Sequence, residues 1–397
     1  MSKAESLQVW IGQARVGRLA QETEKRHIFN YSPDAADVVS LTMPVRLESW
    51  VSPDLHPVFQ MNLPEGDLRA AVRRAIAKII GDDDLSILLA TGGNQIGRNR
   101  FSTENETIPG TAGETESLDT LLTYPDTRDL FHELIKRYAL RSGVSGVQPK
   151  VLLDATERGT LTSNSFIVKS WGDDFPQLAA NEYFCMSAAK KAGLPVPEFY
   201  LAENGGLFVM KRFDKTAEGL FLGFEDMCSL QALGTEQKYR GSYERIANSL
   251  KAFVAGEHLP AARKQFFATL VLSSLVQNGD AHLKNFGVLY PAASGPVFMA
   301  PTYDIVTTTA YIKNDVPALT LAGTKKWWPR KILEQFAGTH LSLTSREIRD
   351  IFEQTTTAVT ETRRDIAVYI ADHPDFREVG TAMQASWETG LNNLAHI

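Results

Sequence analysis

Apolar and polar residues alternate near the start of the chain and follow a helical period further along. Residues 7–20 (LQVWIGQARVGRLA) alternate around a glycine-containing turn, a pattern that predicts a β-hairpin. Residues 68–80 place their apolar side chains on one helical stripe, and a second helix is predicted at about 127–140. Residues 102–119, between these helices, are polar, acidic and rich in Thr, Gly and Ser, so we predict a linker or mobile loop there.

The middle of the chain combines short β-type runs with a helix. Residues 164–170 (NSFIVKS) and 206–213 (GLFVMKRF) predict strands. Between them a helix is predicted to end at Gly193, shortly before two prolines. From about Phe224 onward the period is mainly helical, apart from an irregular stretch with some β-type residues at 291–316. The order is therefore a β-rich part, an α/β part and a mainly helical part.

A predicted core helix at 262–277 runs straight into the polar stretch QNGDAHLKNF. We expect Gly279 to take the left-handed conformation that ends this helix. Asp280 and Asn285 follow, five residues apart. In protein kinases a loop places an Asp, which accepts the proton of the substrate hydroxyl, five residues before an Asn that holds Mg²⁺. Both residue types are also common in turns, so the spacing alone leaves a plain turn as the alternative.

Three further residues follow the order of parts that a kinase needs. Asp304 comes after the β-type run FGVLY and can supply a second metal ligand, or it can cap a helix or form a turn. Lys169 ends an apolar strand, where it can pair with nucleotide phosphates or extend from an edge strand to solvent. Glu182, in the following helix, can hold Lys169 in place or can be a solvated helix residue.

The segment GVSGVQPK supplies the glycines that a phosphate-binding loop would need. Gly143, Gly146 and Lys150 match neither the Walker A pattern nor GxGxxG, so a plain turn remains the alternative. His282 can position the polar loop through hydrogen bonds. The order of glycine loop, strand lysine, helix glutamate, Asp/Asn loop and metal-binding Asp favours a phosphoryl-transfer site over any of these alternatives taken singly.

Composition narrows the class of protein. A chain of 397 residues with 43% hydrophobic and 22% charged residues predicts a globular protein of two or three domains. The net charge of −6 argues against nucleic-acid binding by the molecule as a whole. Two cysteines without a CxxC pattern, and no apolar run long enough to span a bilayer, predict a cytoplasmic protein with no membrane partner.

The basic and aromatic segment KKWWPRK, residues 325–331, has two interpretations. Such a composition can contact nucleic acid. Paired exposed tryptophans are unusual in monomers, so we predict a loop whose tryptophans pack on the core.

Several motifs together resemble the HipA family of bacterial serine/threonine kinases, the toxins of HipBA-type toxin–antitoxin modules. They are SGVQPK, NEYFCMSAAKKAGLPVPE, FVMKRFD, EDMCSLQALGTEQKY, NGDAHLKNF and PTYDIVTT, and the N-terminal VWIGQARVGRL and NLPEGDLR match as well. The resemblance implies an α+β, bilobal protein-kinase-like fold with ATP between the lobes. Residues 1–110 would form an N-terminal subdomain, 111–213 the kinase N-lobe and 214–397 a mainly helical C-lobe.

The resemblance also implies a role for each matching residue, with ATP and Mg²⁺ as cofactors. Asp280 would be the catalytic base, His282 would support its loop, and Asn285 and Asp304 would hold Mg²⁺. The hinge that receives adenine would lie near 211–213. The positions that would contact ATP are Val144, Ser145, Gly146, Val147, Gln148, Lys150, Lys169, Lys211, Phe213 and Lys284.

Regulation and partners follow from the same resemblance. Family members often autophosphorylate a serine where this chain has Gly143, so Ser142 and Ser145 become the candidate sites. A HipB-like helix-turn-helix antitoxin would be the partner, with operator DNA bound only through that complex. The substrate would be a cellular protein, with aminoacyl-tRNA synthetases as the family precedent. An idle ATP-binding corepressor and a small-molecule kinase are the alternative functions.

Overall fold

A computed structural model describes residues 5–104, 115–144, 148–156 and 163–395. Contacts among them define two compact units. The first comprises the described residues up to 170, with 209–236 and 288–297. The second comprises 171–208, 237–287 and the described residues from 298 onward.

The strands alternate with helices in the first three-quarters of the chain. The strands are β1 (Ser6–Ile11), β2 (Ala14–Thr23), β3 (Arg26–Tyr31), β4 (Trp50–Ser52), β5 (Asn99–Ser102), β6 (Thr115–Ser117), β7 (Lys150–Thr156), β8 (Ser163–Lys169), β9 (Phe199–Leu201), β10 (Phe208–Lys211), β11 (Gly223–Asp226), β12 (Gly287–Tyr290) and β13 (Phe298–Met299). The helices are α1 (Pro57–Gln60), α2 (Gly66–Ile76), α3 (Asp84–Thr91), α4 (Leu118–Thr123), α5 (Thr127–Tyr138), α6 (Leu178–Lys191), α7 (Met227–Leu230), α8 (Tyr243–Phe253), α9 (Leu259–Leu275), α10 (Arg330–Leu341), α11 (Ser345–Asp372) and α12 (Arg377–Ala395).

The first sheet of the first unit has the strand order β4-β3-β2-β1-β5. Its centre is the predicted hairpin, confirmed by the antiparallel pairing of β1 with β2. Leu7 lies opposite Leu19, and both side chains are buried. The alternation in the sequence therefore puts the apolar residues of the hairpin on one covered face.

The second sheet of this unit contains β6, β7, β8 and β10 in that order. It confirms the strands predicted at 164–170 and 206–213. The predicted linker at 102–119 is wrong at its end, because β6 and α4 begin within it. Ser117 is the residue that starts α4, since its hydroxyl accepts a hydrogen bond from the N–H of Thr120. The part of that linker at 105–114 lies outside the described residues.

Two other boundaries differ from the sequence prediction. Helix α2 ends at Ile76, and Ile79, which was predicted to lie on its apolar stripe, is 55% exposed. Strand β11 occupies the start of the region predicted to be mainly helical. The predicted end of α6 is confirmed, because Gly193 adopts φ +76° just after the helix.

Helix α9 is the centre of the second unit, where it contacts α6, α8, α10, α11 and α12. We predicted one apolar face, but every residue from Phe266 to Leu275 is buried, because helices surround α9. Gln277, with φ +56°, takes the left-handed conformation that we predicted for Gly279. A side chain at Gly279 would overlap the carboxylate of Asp315, so packing is what requires a glycine there.

The tryptophans of the segment 325–331 pack as predicted. Trp328 is 1% exposed, and its Nε1 donates to the carbonyl of Leu321 at 3.1 Å. Trp327 is half-buried and donates to the carbonyl of Asp315 at 3.0 Å. Both indole N–H groups therefore have acceptors within the second unit.

Close packing of α12 on the end of α9 gives a test of this architecture. A Cβ at Gly390 would overlap the backbone carbonyl of Leu275. We expect Gly390→Ala to lower the free energy of unfolding by roughly 1–3 kcal/mol, the usual cost of overpacking. Chemical denaturation measures this change.

Gly338 provides the matched control, because it is exposed on α10 and a Cβ there would have no neighbour within 4 Å. Gly338→Ala should be neutral or stabilising by up to about 1 kcal/mol, since Ala favours a helix over Gly. Equal effects of the two substitutions would contradict the close approach of α12 to α9.

Candidate active site

The polar loop after α9 is fixed by its own backbone and by one threonine. The N–H of Asn278 donates to the carbonyl of Ser273 at 2.8 Å, and the Asn278 side chain accepts from the N–H of Asp280 at 3.0 Å. The N–H of Gly279 donates to Thr308 Oγ1 at 2.7 Å. These bonds fix the backbone of Asp280 at the end of a buried helix.

Asn285 joins the two stretches that carry the predicted acidic residues. Its Nδ2 donates to the backbone carbonyl of Asp280 at 3.2 Å and to that of Asp304 at 3.2 Å. Its Oδ1 is buried and has no hydrogen-bond partner among the described residues. A buried polar atom without a partner is uncommon in folded proteins and calls for an explanation. A hard cation such as Mg²⁺, which prefers oxygen ligands, fits this atom.

Asp304 lies in an unusual backbone conformation. Its φ is +60°, which is uncommon for a residue other than glycine and marks strain that the surroundings must support. The support comes from Thr307, whose N–H donates to Asn181 Oδ1 at 2.8 Å and whose Oγ1 accepts from Trp387 Nε1 at 2.7 Å. On the other side of Asp304, the N–H of Thr302 donates to the carbonyl of Pro195 at 2.7 Å. The segment is therefore fixed at both ends.

The carboxyl group of Asp280 is in an environment that disfavours its charge. Burial raises its pKa to about 6, and the negative charges of Asp304 and Asp315 act in the same direction. The hydroxyl of Tyr239, which donates to Asp280 Oδ1 at 2.7 Å, and the charge of Lys238 oppose the rise. A carboxylate with a raised pKa is a stronger base, which suits it to accept a proton.

His282 supports the same loop through its backbone and its ring. Its N–H donates to the carbonyl of Asp280 at 2.7 Å, and its carbonyl accepts from the N–H of Asn285 at 3.0 Å. Its ring lies edge-on to that of Tyr239, with centroids 5.1 Å apart. The side chain of Lys284 is half-buried, and the backbone carbonyl of Lys284 accepts from Tyr303 Oη at 2.8 Å.

In the first unit, the register of β7 and β8 places two predicted phosphate ligands together. Lys150 lies directly opposite Lys169 across the antiparallel pair, and both are buried. Opposed residues share one face of a sheet and have Cβ atoms about 5 Å apart. Both lysines therefore lie on one face at the same end of the β7–β8 pair, and an ammonium group is a common ligand of phosphate.

The start of the predicted phosphate loop is tied to the segment around Gln95. The N–H of Gly143 donates to the carbonyl of Asn94 at 2.9 Å, and a Cβ at Gly143 would overlap the Gln95 side chain. Val144 is buried, and Gln148 Nε2 donates to the carbonyl of Ser170 at 3.0 Å. Ser145, Gly146 and Val147 lie outside the described residues.

Ser142 has a structural role in this conformation. Its side chain is fully buried, and its Oγ donates to the carbonyl of Tyr138 at 2.8 Å while accepting from the N–H of Leu152 at 2.9 Å. The hydroxyl thus connects the end of α5 to β7. A phosphate group on Ser142 would require both hydrogen bonds to break.

The predicted adenine-side segment contains a buried ion pair that sequence reasoning missed. Phe213 packs edge-on against Phe224 at 5.7 Å, and Lys211 is half-buried. Between them Arg212 donates to Asp214 through Nε at 2.9 Å and through a terminal nitrogen at 2.6 Å. Burial alone would raise the pKa of Asp214, but the charge and hydrogen bonds of Arg212 keep it below its usual value. The only signal in the sequence was the RxD spacing, which is too common to identify a pair.

Glu182 settles one of the alternatives left open by the sequence. Its side chain is fully buried on α6, so its interpretation as a solvated helix residue is wrong.

Within the described ranges, no cluster of three His, Cys, Asp or Glu side chains could hold a metal ion. The predicted site is of another kind, with one Asn and one Asp. No helix in those ranges is long and apolar enough to cross a membrane.

Sequence comparison finds two kinds of match, family models and individual relatives. The family model described as HipA N-terminal domain matches residues 7–102, and the HipA-like C-terminal domain matches residues 142–363. A protein of Sinorhizobium fredii named "Putative kinase Y4dM" is 32% identical over 212 residues, 47% of this chain and 50% of that protein. "Putative kinase Y4mE" of the same species is 27% identical over 90% of this chain and 92% of its own length.

Structural comparison defines the fold. A chain in the complex of HipA, HipB and operator DNA from the Shewanella oneidensis MR-1 toxin–antitoxin system aligns with a TM-score of 0.70, at 19% identity and over 97% of both chains. Fold and site together thus define a HipA-like protein of mixed α and β structure whose relatives are named as kinases. This chain belongs to the HipA family.

The raised pKa of Asp280 gives a prediction that needs no activity assay. Because the folded state disfavours the ionised carboxyl, ionised Asp280 lowers the free energy of unfolding at neutral pH. Asp280→Asn should therefore stabilise the Mg²⁺-free protein by about 1–3 kcal/mol at pH 7.5. The gain should shrink as the pH falls through 6 towards 4, where wild-type Asp280 becomes protonated. Thermal unfolding at several pH values measures the difference.

The exposed Asp34 serves as the control position, since its charge remains hydrated. Asp34→Asn should leave stability nearly unchanged at each pH. A stability gain for Asp280→Asn that did not vary with pH would contradict the burial of a charged carboxylate.

Proposed function

We propose that this protein is a serine/threonine protein kinase that uses Mg·ATP. The observation that carries the proposal is the Asn285 side chain, which joins the backbones of Asp280 and Asp304 and leaves a buried oxygen without a partner among the described residues. A general base and two oxygen ligands for a metal ion thereby belong to two stretches of chain that one side chain joins. Membership of the HipA family supports the same class of reaction.

Asp280 is the general base of this proposal. The oxygen of a Ser or Thr hydroxyl bonds to the γ-phosphorus, the bond to the ADP oxygen breaks, and Asp280 takes the hydroxyl proton. The rigid loop around Asp280 keeps the carboxylate in place, so that binding energy is not needed to order it. The raised pKa keeps its basicity matched to near-neutral pH.

Asn285 and Asp304 are the residues that would hold Mg²⁺. The amide nitrogen of Asn285 is engaged with two carbonyls, which turns its oxygen away from them. The left-handed backbone of Asp304 fixes the direction in which its carboxylate leaves the chain. When bound, Mg²⁺ neutralises charge that develops on the transferred phosphoryl group.

Lys169 and Lys150 are the proposed phosphate ligands of ATP. Their cross-strand register places both buried side chains on one face at the same end of the strand pair. Gln148 and the loop residues 144–147 complete the phosphate side of the proposal, with Lys211, Phe213 and Lys284 as further ATP contacts. Two lysines recognise a phosphate by charge, which is the usual mode for an ammonium group.

The substrate and partner are proposed from family membership. The protein substrate would be a cellular protein with an accessible Ser or Thr, such as an aminoacyl-tRNA synthetase, and its phosphorylation would arrest growth. The partner would be a HipB-like helix-turn-helix antitoxin, through which the complex would contact operator DNA. The S. oneidensis HipA structure, which includes HipB and operator DNA, is the model for this assembly.

The alternative is an idle ATP-binding corepressor. Such a protein would keep the antitoxin interaction without transferring a phosphoryl group. The retention of Asp280, Asn285 and Asp304 in one hydrogen-bonded arrangement favours an active enzyme, because a binding protein has no need for a base of raised pKa at this place.

We expect wild-type protein to transfer labelled phosphate from Mg·ATP to Ser or Thr of proteins in a cell lysate, and Asp280→Asn to lose at least about 100-fold of that rate. The loss follows from removal of the general base, which contributes about 10²–10⁴-fold in enzymes. Phosphosite mass spectrometry with both variants would identify the acceptor as well.

The exposed Asp375 gives the matched control, because Asp375→Asn removes the same charge far along the chain from the site residues.

A thermal shift with Mg·ATP separates the kinase from the corepressor. A ligand present at 100 times its Kd stabilises the folded state by about 2.7 kcal/mol. Stabilisation by Mg·ATP without phosphate transfer would support the corepressor, and the absence of both would reject a nucleotide-binding role.

We also propose autophosphorylation at Ser145 in preference to Ser142. The Ser142 hydroxyl is buried and engaged in two hydrogen bonds, so it is a poor acceptor in this conformation. Incubation with Mg·ATP should add about 80 Da to wild type and to Ser142→Ala, and nothing to Ser145→Ala. Intact-mass analysis measures this, and a phosphate mapped to Ser142 would overturn the preference.

A further inference from the structure

Tyr239 donates its hydroxyl to the carboxylate of the proposed base. The distance from Tyr239 Oη to Asp280 Oδ1 is 2.7 Å, within the range for a charge-assisted hydrogen bond. Tyr239 lies in the short segment before α8, and its side chain is 44% exposed. An exposed phenol does not need a buried carboxylate as a partner, because water can satisfy it.

One contact of the Tyr239 ring and two contacts of the backbone around it restrict the position of this residue. Its edge-on contact with the His282 ring, at 5.1 Å and 75°, fixes the plane of the ring. The N–H of Leu283 donates to the carbonyl of Lys238 at 3.1 Å, which attaches the segment just before Tyr239 to the catalytic loop. Lys325 Nζ donates to the carbonyl of Tyr239 at 3.3 Å. Tyr239 is thus fixed relative to Asp280 before any substrate binds.

A carboxylate has two oxygens and can rotate about its last bond, and the terminal torsion of Asp is broad. A hydrogen bond to Oδ1 limits this rotation and leaves Oδ2 to accept the proton of a substrate hydroxyl. A general base must lie within hydrogen-bond reach of the proton that it removes, so its orientation affects the rate directly. The phenol also needs no displacement for this role, because it occupies the other oxygen.

We propose that Tyr239 is a positioning residue for phosphoryl transfer, which orients the Asp280 carboxylate through its hydroxyl. This inference rests on the proposed kinase function. In this role Tyr239 acts through Asp280, so the effect of losing its hydroxyl should be confined to the chemical step. Its hydroxyl, and not its ring, carries the role.

Tyr239→Phe removes the hydroxyl and keeps the ring that packs against His282. We expect kcat to fall about tenfold, less than the roughly 100-fold that a 1 Å misplacement can cost, because the base is kept and only its orientation is less restricted. The KM for ATP should change less than twofold, since nucleotide contacts are untouched. The thermal shift with Mg·ATP should equal that of wild type. The measurement is steady-state kinetics with an acceptor protein identified in the lysate, or the rate of autophosphorylation.

Tyr200→Phe is the matched control, because it also removes a phenol that donates to a carboxylate, that of Glu198, and neither residue is assigned a role in catalysis or ATP binding. It should leave kcat unchanged. Asp280→Asn in the same assay separates the two proposals. If Asp280→Asn is inactive and Tyr239→Phe has wild-type kcat, the positioning role is rejected and the kinase function stands.

Two other outcomes would also decide the matter. If Tyr239→Phe lowers thermal stability and raises the KM for ATP in step with the loss of kcat, Tyr239 maintains the fold and the positioning role is rejected. If Asp280→Asn retains wild-type activity, the kinase proposal fails, and the inference about Tyr239 fails with it.

Discussion

The hydrogen bonds of the Asn285 amide are the interactions on which the rest of the candidate site depends. One NH₂ group donates to the backbone carbonyls of Asp280 and Asp304 and so holds together two stretches that are far apart in sequence. The same contacts leave the amide oxygen as a buried acceptor. A single side chain thereby sets both the spacing of the two aspartates and the direction of an oxygen ligand.

Rigid surroundings make that arrangement possible. Helix α9 is buried along its last three turns and ends where the loop begins. On the other side, Thr307 is hydrogen-bonded through its backbone to Asn181 and through its hydroxyl to Trp387. These bonds support the strained backbone of Asp304, three residues earlier. Buried polar contacts of this kind are costly to leave unmade, so they define one arrangement of the chain. The packing and hydrogen bonds of the second unit therefore fix the conformation of the loop.

The proposed chemistry uses an Asp280 carboxylate whose burial lowers the free energy of unfolding when it is ionised. Asp280 is a carboxylate in a site that disfavours its ionised form, and Lys150 opposes Lys169 in a buried strand pair. The ionised Asp280 carboxylate lowers the stability of the protein alone, and a proton or a nearby cation relieves that cost. Tyr239 extends this principle, since its phenol holds a carboxylate that would otherwise be free to rotate.

The sequence by itself determined the hairpin of β1 and β2, the strands β8 and β10, the helices α6 and α9 and the family. These depend on local periodicity and on motifs of short range. It also singled out Asp280, Asn285 and Asp304, because their order along the chain follows that of a kinase. Only the tertiary structure decided that Gln277 and not Gly279 reverses the chain, that Glu182 is buried, that Ser142 is engaged, and that Tyr239 contacts Asp280. These features depend on how separate elements pack and hydrogen-bond to one another, and such contacts leave no periodic trace in the chain.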